Sequence, residues 1–253
     1  MRKIYIITLF ILVFMSCDKD NDTVQANITF NFTHAWDETP ITNANFNTIQ
    51  YTNTSGQDMS IEKLRYLISK ITFQKSNGEL VTLEGYNLVD VTNNENLTFA
   101  PTATIETGTY SNVSFTFGFD NDDNYNQNYT DLNSVSWNVP ELLGGGYHYM
   151  QLEGKFLDQT DTETGYAYHT IRAVDNSGDN LVFQDTFFQV DLGEVTITDD
   201  AVFNIEMNIA EWFKTPNIWN LNTLNNMLMP NFDAQIMMYE NGQNVFSLTS
   251  ITQ

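Results

Sequence analysis

Apolar and polar residues alternate one for one along much of this chain, the period of a β-strand with one buried face. The clearest case is Asn112–Phe119, where Val113, Phe115, Phe117 and Phe119 share one face and Asn112, Ser114, Thr116 and Gly118 the other. Similar runs occupy Ile28–His34, Asn47–Asn53, Leu64–Phe73, Tyr86–Val91, Tyr147–Phe156, Tyr166–Ala173, Phe183–Leu192 and Ala201–Ile209, separated by clusters of Asn, Asp, Gly and Thr. Many short strands without long intervening helices predict an all-β fold, an antiparallel Greek-key β-sandwich. Helix is expected only near the C-terminus, at Glu211–Lys214 and Trp219–Leu228, with Asn217 as a cap and Pro230 as a stop.

The N-terminus follows a different pattern. Arg2 and Lys3 precede an apolar run from Ile4 to Met15, too short for a comfortable membrane span and built like an export leader. Ser16 and Cys17 then resemble the lipobox of a bacterial lipoprotein, which divides the chain into a signal peptide over residues 1–16, lipidated Cys17 opening an acidic tether over 17–26, and one domain over 27–253. The tract Asp18-Lys19-Asp20-Asn21-Asp22 is similar to Bacteroidetes lipoprotein export signals, so the expected location is the outer membrane, on its periplasmic or cell-surface face, held by the lipid. Cys17 is the only cysteine, so no disulfide within the chain is available. Losing Arg2 and Lys3 with the leader takes the formal charge from −22 to −24, which disfavours nucleic acid and anionic headgroups as partners and attracts cations.

This charge balance favours cation chemistry. Each of the three histidines falls on the apolar side of an alternating run: His34 with Phe30 and Phe32, His148 with Met150 and Leu152, His169 with Ala167 and Ile171. Imidazole is a common metal ligand and thioether sulfur suits soft copper, so His34, His148, His169 and Met150 form a candidate metal set. The plain alternative is three core histidines hydrogen-bonded to backbone. A second candidate runs from Asp120 to Asp131, where Asp120, Asp122, Asn124 and Asp131 occupy positions of a calcium loop; Tyr125 stands where such a loop needs Gly. Met227, Met229, Met237 and Met238 cluster among apolar neighbours and read foremost as core filling. The chain has no nucleophile elbow, no paired cysteines and no HExxH, and an enzyme is not expected.

Several blocks together, in order, resemble a known family. They are Asp58 to Ile71, Gly85-Tyr86-Asn87-Leu88-Val89-Asp90, Phe115 to Asp120, Gly146-Tyr147-His148-Tyr149-Met150-Gln151-Leu152-Glu153-Gly154 and Tyr168-His169-Thr170-Ile171, and they resemble the MbnP-like copper-binding domain. The resemblance implies a secreted or lipid-anchored β-sandwich whose copper-binding members use histidines plus a tryptophan oxidised to kynurenine by a diheme enzyme of the MbnH/MauG type. It points to His169 as the histidine after the Leu-Glu-Gly strand, to Trp36 as the oxidisable tryptophan, and to Trp137 as second choice. The expected function is a lipid-anchored, non-enzymatic copper-binding protein of the cell envelope, with His34 and at least one of His148 and His169 sharing an ion beside Trp36 or Met150. The alternative, a glycan- or ligand-binding lipoprotein acting beside an outer-membrane transporter, calls for Trp36, Trp137 or Trp219 exposed on one flat face.

Overall fold

The structure, a computed structural model, describes residues 24–253; the leader, Cys17 and most of the acidic tether lie outside the described residues. The tether boundary moves slightly, because Gln25–Ala26 already pairs with Ile105–Glu106 and Ala26 is buried.

Nine strands of four or more residues carry the architecture: β1 Ile28–Trp36, β2 Lys63–Lys75, β3 Leu80–Asp90, β4 Gly108–Phe117, β5 Met150–Leu157, β6 Glu163–Thr170, β7 Phe188–Asp191, β8 Ala201–Asn208 and β9 Phe246–Thr252. The larger sheet is organised around β2. One edge of β2 pairs with β3; its other edge is divided, Lys63–Tyr66 taking β5 and Ile68–Lys75 taking β4. Outward from these, β6 pairs with β5 and β7 with β4, all antiparallel. The smaller sheet holds β9, β8 and β1 in that order. Here the expected all-antiparallel arrangement needs correction: β1 and β8 run parallel, from Ile28 opposite Ala201 to Ala35 opposite Asn208.

The two sheets close on a shared aromatic core, as the alternation requires. Phe32 of β1 meets Tyr66 of β2 edge-on at 6.1 Å and Phe203 of β8 meets Phe73 at 6.0 Å between ring centroids. A second, smaller core lies on the opposite face of the larger sheet, where Leu67, Phe119, Leu132, Trp137 and Tyr147 pack together beneath the segment that joins β4 to β5. That segment includes the short helix α1, Thr130–Ser134. It turns the back of a sheet that would otherwise face water into a covered surface.

Helix is displaced from its expected place. Ile209–Phe213 forms a 3-10 turn, but Trp219–Leu228 is not helical. Asn220 Oδ1 accepts from the backbone of Asn222, the Trp219 indole N–H donates to Leu224 O at 2.8 Å, and Met227 adopts φ +53°. Asparagine-rich sequence competes in this way for the backbone groups a helix would use. The real helix, α2 at Phe232–Gly242, begins after Pro230, with the Asn231 side chain capping Ala234 N at 3.0 Å. Pro230 therefore precedes a helix and does not stop one.

Candidate metal centre

Register across β2, β5 and β6 builds the site. Gln151 lies opposite Arg65 on one side and His169 on the other, and the next outward-facing row sets Glu153 between Lys63 and Ala167. These side chains occupy the face turned away from the sandwich core, because Tyr66, Met150, Leu152 and Tyr168 fill the core face. His169 is thus not core-facing. The inward parity expected for it belongs to Tyr166, Tyr168 and Thr170, which are buried, while His169 is half-buried on the other side.

His148 reaches the same face by a break in the strand. It precedes the first residue of β5, and Tyr147 packs in the outer cluster while both Tyr149 and Met150 pack in the sandwich core. Alternation is reset there, so His148 parts from Met150. Its backbone N–H and its Nδ1 both bond Trp137 O, at 3.0 and 2.9 Å. A carbonyl only accepts, so Nδ1 carries the proton and Nε2 keeps a bare lone pair. That Nε2 is buried and has no hydrogen-bond partner among the described residues. Burial, followed by the neighbouring His169 and Arg65, pushes the His148 pKa down to about 4, so the ring is neutral at physiological pH.

The His148 and His169 rings lie edge to face with centroids 5.2 Å apart. His169 Nε2 meets Glu153 Oε1 at 2.8 Å, and Lys63 Nζ donates to the same oxygen at 2.9 Å. The His169 hydrogen bond, followed by Lys63, lowers the Glu153 pKa to about 2, so Glu153 is an acceptor carboxylate. His169 therefore donates from Nε2 and presents its lone pair at Nδ1. A carboxylate behind one imidazole and a carbonyl behind the other is the support that orients histidine for a metal.

Trp137 completes the group. It is fully buried, its ring lies 5.8 Å from that of His148, and the Arg65 guanidinium sits 5.1 Å from the centroid of its indole. Arg65 is itself fixed, donating to Gln151 Oε1 at 2.5 Å and to Val135 O at 3.3 Å. Among the described residues the Trp137 indole N–H has no hydrogen-bond partner. Two imidazole nitrogens with free lone pairs suit copper. Among the described residues no three His, Cys, Asp or Glu side chains converge as a ligand set, so the encoded donors of these types stop at the histidine pair.

The remaining candidates lie elsewhere. His34 is inside the sandwich, its Nε2 3.1 Å from Tyr66 Oη, and the larger sheet stands between it and the His148–His169 pair. Met150 and Trp36 also belong to the sandwich core, with Trp36 stacked on Tyr51 at 5.0 Å. The expected pocket of His34 with Trp36 or Met150 and a second histidine is corrected accordingly: parity gave His148 and His169 the core face, whereas both lie on the opposite face of the larger sheet. The calcium-loop side chains do not converge either. Asp120 pairs with Lys70, Asp131 accepts from Tyr86 Oη at 2.6 Å, and Asn124 Oδ1 accepts from Tyr147 N at 2.8 Å. Asp122 N donates to Asp120 Oδ1 at 3.1 Å, a turn contact that folds the loop on itself. All four tryptophans are buried, which leaves no exposed indole platform for a glycan. Glu153 and Arg65 were not anticipated as site residues, although the polar alternation Gln151–Glu153 was the signal that could have placed them beside His169.

The family model for MbnP matches residues 25–231. The chain belongs to the MbnP family. The solved structure of MbnP from Methylosinus trichosporium shares its fold, with a TM-score of 0.52 over 77% of this chain and 80% of that one, at 10% sequence identity. No curated protein sequence matches the chain. The matched region contains β1 to β8, both histidines of the pair and Trp137.

Proposed function

We propose that this MbnP-family protein is a non-enzymatic copper-binding protein of the cell envelope, tethered through a lipid on Cys17. His148 Nε2 and His169 Nδ1 hold the ion, and Trp137 is the tryptophan that a partner diheme enzyme oxidises to supply a further donor. The observation that carries the reading is the buried Nε2 of His148, without a partner among the described residues, beside the His169 ring. An unpaired buried acceptor costs about 1–3 kcal/mol, a cost that a coordinated ion removes. Glu153 and the Trp137 carbonyl hold the two protons away from the metal side of each ring, so copper binds without first displacing them. Arg65 positions the indole that must be modified.

The test uses protein purified from its native envelope, where the partner enzyme acts. Metal analysis after desalting is expected to give about one copper per wild-type chain, a strong loss in His148→Ala and in His169→Ala, and wild-type copper in His34→Ala. Equal copper in a His148→Ala/His169→Ala variant and in wild type would overturn the assignment.

A further inference from the structure

His169 also lines a groove of about 360 Å³, together with Leu142, Leu143, Met227, Met229 and Pro230, and it is the only polar side chain in that lining. Two features of the methionine segment are otherwise unexplained. Met227 is 75% exposed, and it holds φ +53°, a conformation that costs a non-glycine residue on the order of 1–3 kcal/mol. Burial accounts for Leu228 between the two methionines but not for Met227. The segment is also fastened to the histidine strand. Gln235, itself buried, donates from Nε2 to both His169 O at 2.8 Å and Leu228 O at 3.1 Å, and Ala167 N donates to Asn225 O at 2.8 Å. The segment that carries the two thioethers is therefore anchored beside β6, in a lining that it shares with His169.

We propose that this groove is an entry port for monovalent copper, in which the Met227 and Met229 thioethers capture the ion and pass it to His169 Nδ1. Hard, hydrated cations find no side-chain oxygen ligand in this lining, whereas thioether sulfur selects a soft ion that sheds water readily. The transfer is a ligand exchange. A sulfur–copper bond breaks as a nitrogen–copper bond forms, the ion stays Cu(I), and no electron or proton moves because Nδ1 already presents its lone pair. The port rests on the copper reading above, and its test separates the two.

Full-length protein labelled with methyl-13C methionine would be titrated with Ag(I), a diamagnetic soft probe, and separately with Zn(II). The Met227 and Met229 methyl resonances are expected to shift with Ag(I), in wild type and in His148→Ala alike, and to stay in place with Zn(II). In a Met227→Leu/Met229→Leu variant, which keeps the groove apolar, uptake of Cu(I) from a chromophoric chelate should slow by about tenfold while the final copper content is unchanged. Unmoved methyl resonances with Ag(I), or an unchanged uptake rate in the leucine variant, would overturn the port. If the methyl resonances shift but His148→Ala/His169→Ala keeps wild-type copper, thioether capture stands and the two-histidine reading falls.

Discussion

A single backbone carbonyl decides the protonation of the candidate metal ligand. Trp137 O accepts from His148 Nδ1, so the residue proposed for oxidation also fixes the tautomer of its neighbour. Its chemical fate is testable alone. Intact-mass and peptide analysis of protein from the native host should show added oxygen on the peptide carrying Trp137 and none on that carrying Trp36; an unmodified Trp137 there would remove the oxidation step. At this scale the sequence was legible in part. His148, His169 and Trp137 all stood out by residue type, but their grouping did not, because it depends on the backbone irregularity before Met150 and on which face of β6 meets the core. Tyr166 and Tyr168 outcompete Ala167 and His169 for that face simply by burying more aromatic surface.

Between elements, close approaches at two residues hold the site in place. Gln235 on α2 accepts from Ile171 N at 2.9 Å while donating to His169 O and Leu228 O. Gln235→Leu would strand these buried groups and cost on the order of 3 kcal/mol, read as a lowered urea midpoint with the slope unchanged. On β5, a methyl group at Gly154 would lie 2.1 Å from Ser60 O, a backbone atom with little freedom to yield. Gly154→Ala should break the bonds between Ser60 and Lys155 and destabilise the fold by several kcal/mol, whereas Gly165→Ala on the neighbouring strand, where the nearest atom is 3.9 Å away, should leave the melting temperature within a few degrees. Strand positions were legible because alternation reports burial directly. The late helix was misplaced because asparagine side chains between Trp219 and Leu228 take backbone groups that a helix would use, as Asn220 Oδ1 does in accepting from Asn222 N.

For the whole molecule, acid stability follows from buried imidazoles. His34 and His148 both have pKa values lowered to about 4, in each case first by burial, against 6.5 for an ordinary histidine. As pH falls below 6.5 the unfolded chain takes up protons that the folded one refuses, so stability is lost between pH 6.5 and 4, by up to about 3 kcal/mol for each ring, and levels off below. Glu153, depressed to about 2 by His169 and Lys63, adds a second loss from its ordinary 4.5 downward. Urea midpoints of the metal-free protein should fall steadily across the first window, and His34→Gln, which keeps a polar partner for Tyr66, should make that fall shallower. A flat profile from pH 6.5 to 4 would contradict the burial of both rings.

The parallel join of β1 to β8 has a kinetic side. Asn31 and Asn204 share a hydrogen bond although 173 residues separate them. Synthesis delivers Ile28, Phe30 and Phe32 early, yet their parallel neighbour arrives only after four-fifths of the chain has been made. Loops of that length close slowly, and no partial product of the ribosome can complete the smaller sheet. Completion of the fold is accordingly a late event, and a chain cut before Ala201 would leave the core face of the larger sheet uncovered and prone to aggregation.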